Sequence, residues 1–190
     1  MSTRRTVDEV HEIGAPRADS GSGLIELARE GNHDAFGRLV EMKLERAFRT
    51  ASAVLGNEAD ARDATQEAFV AAWRNLPRLR DVEKFDAWLH RLLINSCRDI
   101  QRRRHRVREI ALDSQPLTVP AGDERTAERL AVSAALDRLS VNDRAMLVLH
   151  HVEGLPVAEV ARRLGVPVGT AKWRLHQARR ALEKALGNDR

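Results

Sequence analysis

The sequence predicts an all-α protein of two small helical domains joined by a flexible linker, the C-terminal domain a helix-turn-helix. Three observations carry that reading. Aromatic residues make up only 4% of the 190-residue chain, with no Tyr, whereas strands favour aromatics; 32% of residues are charged. Apolar residues recur at helical spacing from Leu24 onward. Between them, the stretch 111–127 has Pro116, Pro120, Gly122 and little apolar content, the composition of a linker. The length suits one domain or two small ones.

In chain order, residues 1–22 have no sustained apolar period and read as a mobile tail. Leu24, Ile25, Leu27 and Ala28 open a short helix stopped at Gly31. Asp34 is a capping residue for the next helix, whose Phe36, Leu39, Val40, Leu44, Ala47 and Phe48 keep helical spacing until Gly56. Asn57 caps a third helix that ends before Pro77. Residues 77–84 form a loop of mixed charge, and a long helix runs from near Phe85 into the Arg block at 102–108. The domain boundaries follow as 23–108 and 128–187, with 109–127 between them. Leu130, Ala134, Leu136 and Leu139 start the second unit. Ser140 and Asp143 give an S-x-x-D start signal for a helix carrying Met146, Leu147 and Leu149 and ending at Gly154. Two short helices, about 157–164 and 168–186, follow around Gly165-Val166-Pro167.

The net charge of +4 hides two dense basic blocks. Residues 91–108 hold seven Arg and only Asp99; residues 162–184 hold seven Lys or Arg and only Glu183. An acidic stretch separates them. Two such blocks point to two contacts with a polyanion, although two solvated helix faces would carry the same charge.

The C-terminal block has the pattern of a DNA reader. Val157, Val160, Ala161 and Leu164 make one apolar stripe; Ala171, Leu175, Ala178 and Leu182 make another. Two amphipathic helices around a Gly-containing turn are the helix-turn-helix pattern, whose second helix enters the major groove. Opposite its stripe stand Gly169, Trp173, His176, Gln177 and Arg180, with Lys172, Arg174 and Arg179 on the flanks where phosphates would lie. An ordinary helical hairpin is the bland alternative.

In the N-terminal unit, Leu89, Leu93, Cys97 and Ile100 share one face of the long helix. Arg91, Asn95, Arg98 and Arg102 lie opposite, with Asp99 and Trp88 at one border. Arginines alone would hold any phosphate backbone. An Asn among them, beside a Trp and a loop with Arg78 and Arg80, suits unstacked bases. Core packing is the competing reading of Trp88. On the preceding helix Asp60, Asp63 and Glu67 line one side with Gln66 adjacent. These acids either favour the helix dipole or form a docking patch for a basic protein surface.

The stretches DARDATQEAFVAAWRNL (60–76), FDAWLHRLLINSCRDIQRRR (85–104) and LDRLSVNDRAMLVLHHVEGLPVAEVARRLGVPVGTAKWRLHQARRAL (136–182) together resemble a bacterial sigma factor of the sigma-70 family. They are similar to its extracytoplasmic-function branch, whose small members keep only the second and fourth sigma domains. The resemblance covers about residues 22–187. It implies an interchangeable specificity subunit of core RNA polymerase that binds promoter DNA, both duplex and non-template single strand. It places Asp60, Asp63, Gln66 and Glu67 where the family docks on polymerase. Asn95 and the loop 78–86 stand where it captures flipped bases of the minus-ten element, with Arg98, Arg102 and Arg103 near backbone-binding positions. Helix 168–182, with Gly169 and Thr170 at its start, stands where the family reads the minus-thirty-five element. The family is often held inactive by an anti-sigma protein. Two departures stand out: Arg62 occupies a position that is usually acidic, and Trp173 one that is commonly Ser.

A stand-alone helix-turn-helix regulator of duplex operators is the alternative. An enzyme fits poorly. The seven His form no H-E-x-x-H, and no Walker or G-x-G-x-x-G run exists. His150 and His151 are expected to point to different sides of their helix. Lone Cys97 supports neither a disulfide nor a Cys-rich metal site, and no cofactor or metal is expected. Nothing approaches the ~18 apolar residues of a membrane span, which implies a cytoplasmic protein without membrane insertion.

Overall fold

The computed structural model describes residues 21–110, Leu136 and 139–185, and all described regular structure is helical. The first unit comprises α1 (Gly21–Arg29), α2 (His33–Leu55), α3 (Glu58–Asn75) and α4 (Phe85–Ile110). The second comprises α5 (Val141–Leu147), a π-turn over Val148–Val152, α6 (Val157–Leu164) and α7 (Val168–Ala185). Apart from Gly21 and Ser22, which begin α1, and Glu109 and Ile110, which end α4, the expected tail and linker lie outside the described residues. Leu130 and Ala134 also lie outside them; Leu139 is buried.

Local chemistry sets most boundaries. Asn57 accepts the Asp60 amide at 2.9 Å and starts α3. Gly56, at φ 68°, closes α2 in the left-handed region that a side chain would strain. The start of α2 differs from expectation. Asn32, not Asp34, is the cap, accepting the Ala35 amide at 3.0 Å. Asp34 instead sits in the first turn, where its carboxylate faces the positive end of the helix dipole. Pro77 falls in a short 3₁₀ turn, and Asp81 caps a second one at Val82–Lys84 that delivers the chain into α4.

The core of the first unit is small and close-packed. Ala61, Ala64, Ala68 and Ala72 let α3 approach α2 and α4, while Leu39, Val54, Leu89, Leu93, Ile94 and Cys97 fill the space between. In the second unit Ser140 accepts the Asp143 amide at 3.2 Å and starts α5, as the S-x-x-D signal predicts. Val160, Ala161, Leu164, Ala171, Leu175 and Ala178 are buried between α6 and α7. Leu182 is only half-buried, because α7 has outrun the shorter α6 by that point.

The segment 148–152 is wider than an α-helix, closing with i→i+5 geometry. Fewer degrees then separate successive residues. His150 and His151 consequently do not diverge as expected: their rings meet edge-to-face with centroids 4.7 Å apart. His150 Nδ1 lies 2.8 Å from the Leu155 carbonyl, and Arg179 donates to His151 at 3.0 Å. Among the described residues no cluster of three or more metal-ligating side chains occurs.

Candidate nucleic-acid interface

Helix α7 is held by one face and open on the other. Gly165, at φ 69°, makes the tight turn that sets α6 and α7 against each other. With Ala171, Leu175 and Ala178 inward, Gly169, Lys172, Trp173, His176, Gln177, Arg179 and Arg180 are exposed, and Thr170 and Arg174 half-buried. This is the division the helix-turn-helix reading predicts, and Trp173 stands clear of the core at 61% exposure.

On α4 the polar face assembles as its spacing predicts. Arg91, Asn95, Asp99, Arg102 and Arg103 are exposed, and Arg98 is half-buried. Arg98 donates to Asn95 at 2.6 Å, which orients the amide; Arg102 pairs with Asp99. Arg78 and Arg80 are exposed in the loop before α4. Trp88 is half-buried, its ring 5.8 Å from Phe85, so core packing claims part of it and part remains open.

The acidic patch on α3 proves to lie beside the basic end of α4. Glu67 pairs with Arg103 at 2.6 Å and Asp60 with Arg104 at 2.9 Å, while Asp63 and Gln66 are exposed. Arg62 turns along its own helix to Glu58. Next to this patch opens a groove of about 1010 Å³ between α2 and α3, lined by Val40, Leu44, Phe48, Phe69, Val70 and Trp73 with Arg62 and Gln66 at its edge. The sequence places the α2 residues of this group at helical spacing but does not mark them as a groove. The signal passed over is the width of the apolar stripe: Leu39 and Ala47 are buried, yet Leu44 is 46% and Val70 42% exposed.

The two units also touch, and at the polar face of α4. Arg98 donates to Asn142 of α5 at 2.5 Å, and Arg91 to the carbonyl of Arg162 at 3.0 Å. Burial first, then the nearby Arg174 and Arg102 cations, hold the Arg98 guanidinium below its ordinary value. At the centre is Glu153, its side chain 9% exposed. It receives Arg46 at 2.7 Å and the Thr50 hydroxyl at 2.5 Å, with His90 Nε2 at 3.5 Å. Burial alone would raise this carboxyl, but the contacts with His90, Thr50 and Arg46 outweigh it and hold it at about 2. No local pattern marks Glu153, since its partners are at least 63 residues away in sequence.

The model for sigma-70 region 2 matches residues 39–107, and that for sigma-70 region 4 matches 129–182. The chain is 34% identical over 180 residues to the ECF RNA polymerase sigma factor SigM of Mycobacterium tuberculosis, covering 92% of this chain and 89% of SigM. This chain belongs to the extracytoplasmic-function sigma factors. Its identity to SigE of Mycolicibacterium smegmatis, also named an ECF RNA polymerase sigma factor, is 37% over 155 residues. That match covers 78% of this chain but only 60% of SigE. The solved structure of CnrH in complex with the cytosolic domain of CnrY aligns with a TM-score of 0.66 and 29% identity, over 90% of this chain and all of CnrH. In this sigma factor, α2 to α4 fall within the region 2 match except for the first residues of α2 and the last of α4. The helix-turn-helix, α6 and α7 up to Leu182, falls within region 4. No described helix is long and apolar enough to cross a membrane.

Proposed function

We propose that this protein is an alternative sigma factor that joins core RNA polymerase, directs it to particular promoters and takes part in strand opening. Helix α7 reads duplex DNA at the minus-thirty-five element through Gly169, Thr170, Lys172, Trp173, Arg174, His176, Gln177, Arg179 and Arg180. Helix α4 and its preceding loop take the minus-ten element. Arg78, Arg80, Arg91, Arg98, Arg102 and Arg103 hold the strand, while Asn95, with Trp88 and Asp99 at its border, meets extruded bases. Unstacking costs a few kcal/mol per base. A polar face that hydrogen-bonds an extruded base offsets that cost, which is how binding becomes opening.

Docking belongs to Asp60, Asp63, Gln66 and Glu67 together with the adjoining groove, which adds apolar area to an acidic rim. The observation that carries the docking reading is this exposed apolar groove beside an acidic patch, a combination suited to a basic protein surface with an apolar centre. The protein performs no bond chemistry of its own, which falls to the polymerase, and it works in the cytoplasm. An anti-sigma protein is a natural further partner for a member of this family.

A gel shift with and without core enzyme tests the proposal. Specific promoter binding and run-off transcription only with core support it. Tight duplex binding without core, on paired half-sites, refutes it in favour of the regulator.

A further inference from the structure

We infer that Trp173 is a promoter-specificity residue that reads the C5-methyl group of a thymine in the minus-thirty-five element. The inference rests on α7 being the duplex reader and says what one of its side chains recognises. Trp173 is 61% exposed while Ala171 and Leu175, two residues to either side, are buried. At 100° per residue the indole projects from the side of α7 opposite the core. Trp73 and Trp88 each lie against other rings, whereas Trp173 meets none among the described residues.

The ring also has room in the right place. Long helical side chains lean toward the N-terminus and cover the position about four residues earlier. That position is Gly169, which has nothing within 4 Å of where a Cβ would stand. Nothing among the described residues, the indole included, occupies that space, so the first turn of α7 is open beside the ring, and the N-terminal residues of a recognition helix are those that contact base edges.

The chemistry of an indole then selects the ligand. It carries one N–H donor and no acceptor, so it cannot form the bidentate pairs by which Arg, Asn or Gln read purines, and a single bond from it to a phosphate would carry no sequence information. What it offers is an apolar face. The apolar group displayed in the major groove is the thymine C5-methyl. A protein partner would want apolar neighbours around the Trp, but the same face carries His176, Gln177 and Arg180, all exposed.

The test uses holoenzyme reconstituted from the full chain. The preferred upstream element is selected from a randomised duplex library by run-off transcription. Each thymine in it, on either strand, is then replaced singly by deoxyuridine, which lacks only the methyl. At one position the wild type is expected to lose about fourfold in promoter affinity, the ratio carried by burial of one methyl-sized group. Trp173→Ser should lose none there, Trp173→Phe should fall between, and all three proteins should melt alike. Four results overturn the inference: a selected element without thymine, no uridine-sensitive position in the wild type, equal sensitivity in Trp173→Ser, or an effect of that substitution on a protein partner alone. Failure of α7 as the reader looks different, because holoenzyme would then transcribe with no upstream sequence preference, and the inference would fall with it.

Discussion

Glu153→Gln removes the charge that ties the second unit to the first while keeping the side chain's size. A carboxyl held at about 2 instead of 4.5 contributes about 3.5 kcal/mol to the packed arrangement at neutral pH, at about 1.4 kcal/mol for each pH unit. The sign follows from the direction. Because packing lowers the acid constant, this contribution is complete above pH 4.5, shrinks as pH falls toward 2, and is gone below that. Glutamine can still accept from Thr50, but it leaves Arg46 without its counter-charge. Two dyes, on Glu45→Cys and Arg180→Cys, would report the separation of the units by energy transfer, since Cys97 is buried and unreactive. The expected result is lower transfer in Glu153→Gln at pH 7, and in the parent a loss of transfer on acidification that Glu153→Gln does not show. Equal transfer at pH 7 together with the same acid transition in both proteins would refute the reasoning.

Three further outcomes are expected. Asp63→Ala should weaken binding to core polymerase, measured by competition for core, while changing stability by no more than about 0.5 kcal/mol, because the side chain is exposed; Glu67→Arg, which adds a cation facing Arg103, should weaken it further. Asn95→Ala should impair strand opening more than closed-complex formation, seen as reduced permanganate reactivity of minus-ten thymines at unchanged gel-shift affinity. The Cys97 thiol, pushed up to about 12 by burial, should resist iodoacetamide at pH 8 in the folded protein and react once denaturant is added; labelling at the rate of a free thiol in the native state would contradict that burial.

What the sequence revealed and what it concealed divide along the range of the interactions concerned. Gly56, Asn57, Ser140 and Gly165 act within three or four residues of themselves, so the ends they set are legible from local chemistry. Asn32 and Asp34 are two residues apart and chemically alike as caps, and only the backbone shows that Asn32 has the extended conformation a cap needs. The polar faces of α4 and α7 follow from periodicity alone. Periodicity places a residue on a face but does not say what covers it, which is why the groove between α2 and α3 was hidden among residues with core spacing. The π-turn and the meeting of His150 with His151 depend on backbone geometry that no pattern of side chains announces. Ion pairs such as Arg103 with Glu67 and Arg46 with Glu153 join residues far apart in the chain, so a basic block and an acidic patch read as separate features turn out to be neighbours.

Those neighbours bear on how the surfaces can be used. The Arg103–Glu67 pair between α3 and α4 is exposed on both sides, its side chains 57% and 41% accessible. Exposed pairs contribute little to stability. A basic partner that takes Glu67 would therefore meet little competition from Arg103, and the arginine it displaces would remain on the polar face of α4. The contact between the units is different in kind. Glu153 is nearly enclosed, so its attraction is strong, while Arg98 and Arg174 set two like charges near each other across the same contact. Attraction at Glu153 keeps the units together, and repulsion between the two arginines is a cost of doing so. On the proposed function, DNA phosphates would reverse that balance: they would neutralise Arg98 and Arg174 at separate sites, and would offer Arg98 a better acceptor than the neutral amide of Asn142. The arrangement that packs the two units together is thus weakest at the residues proposed to engage promoter DNA, and strongest at Glu153, which is not among them.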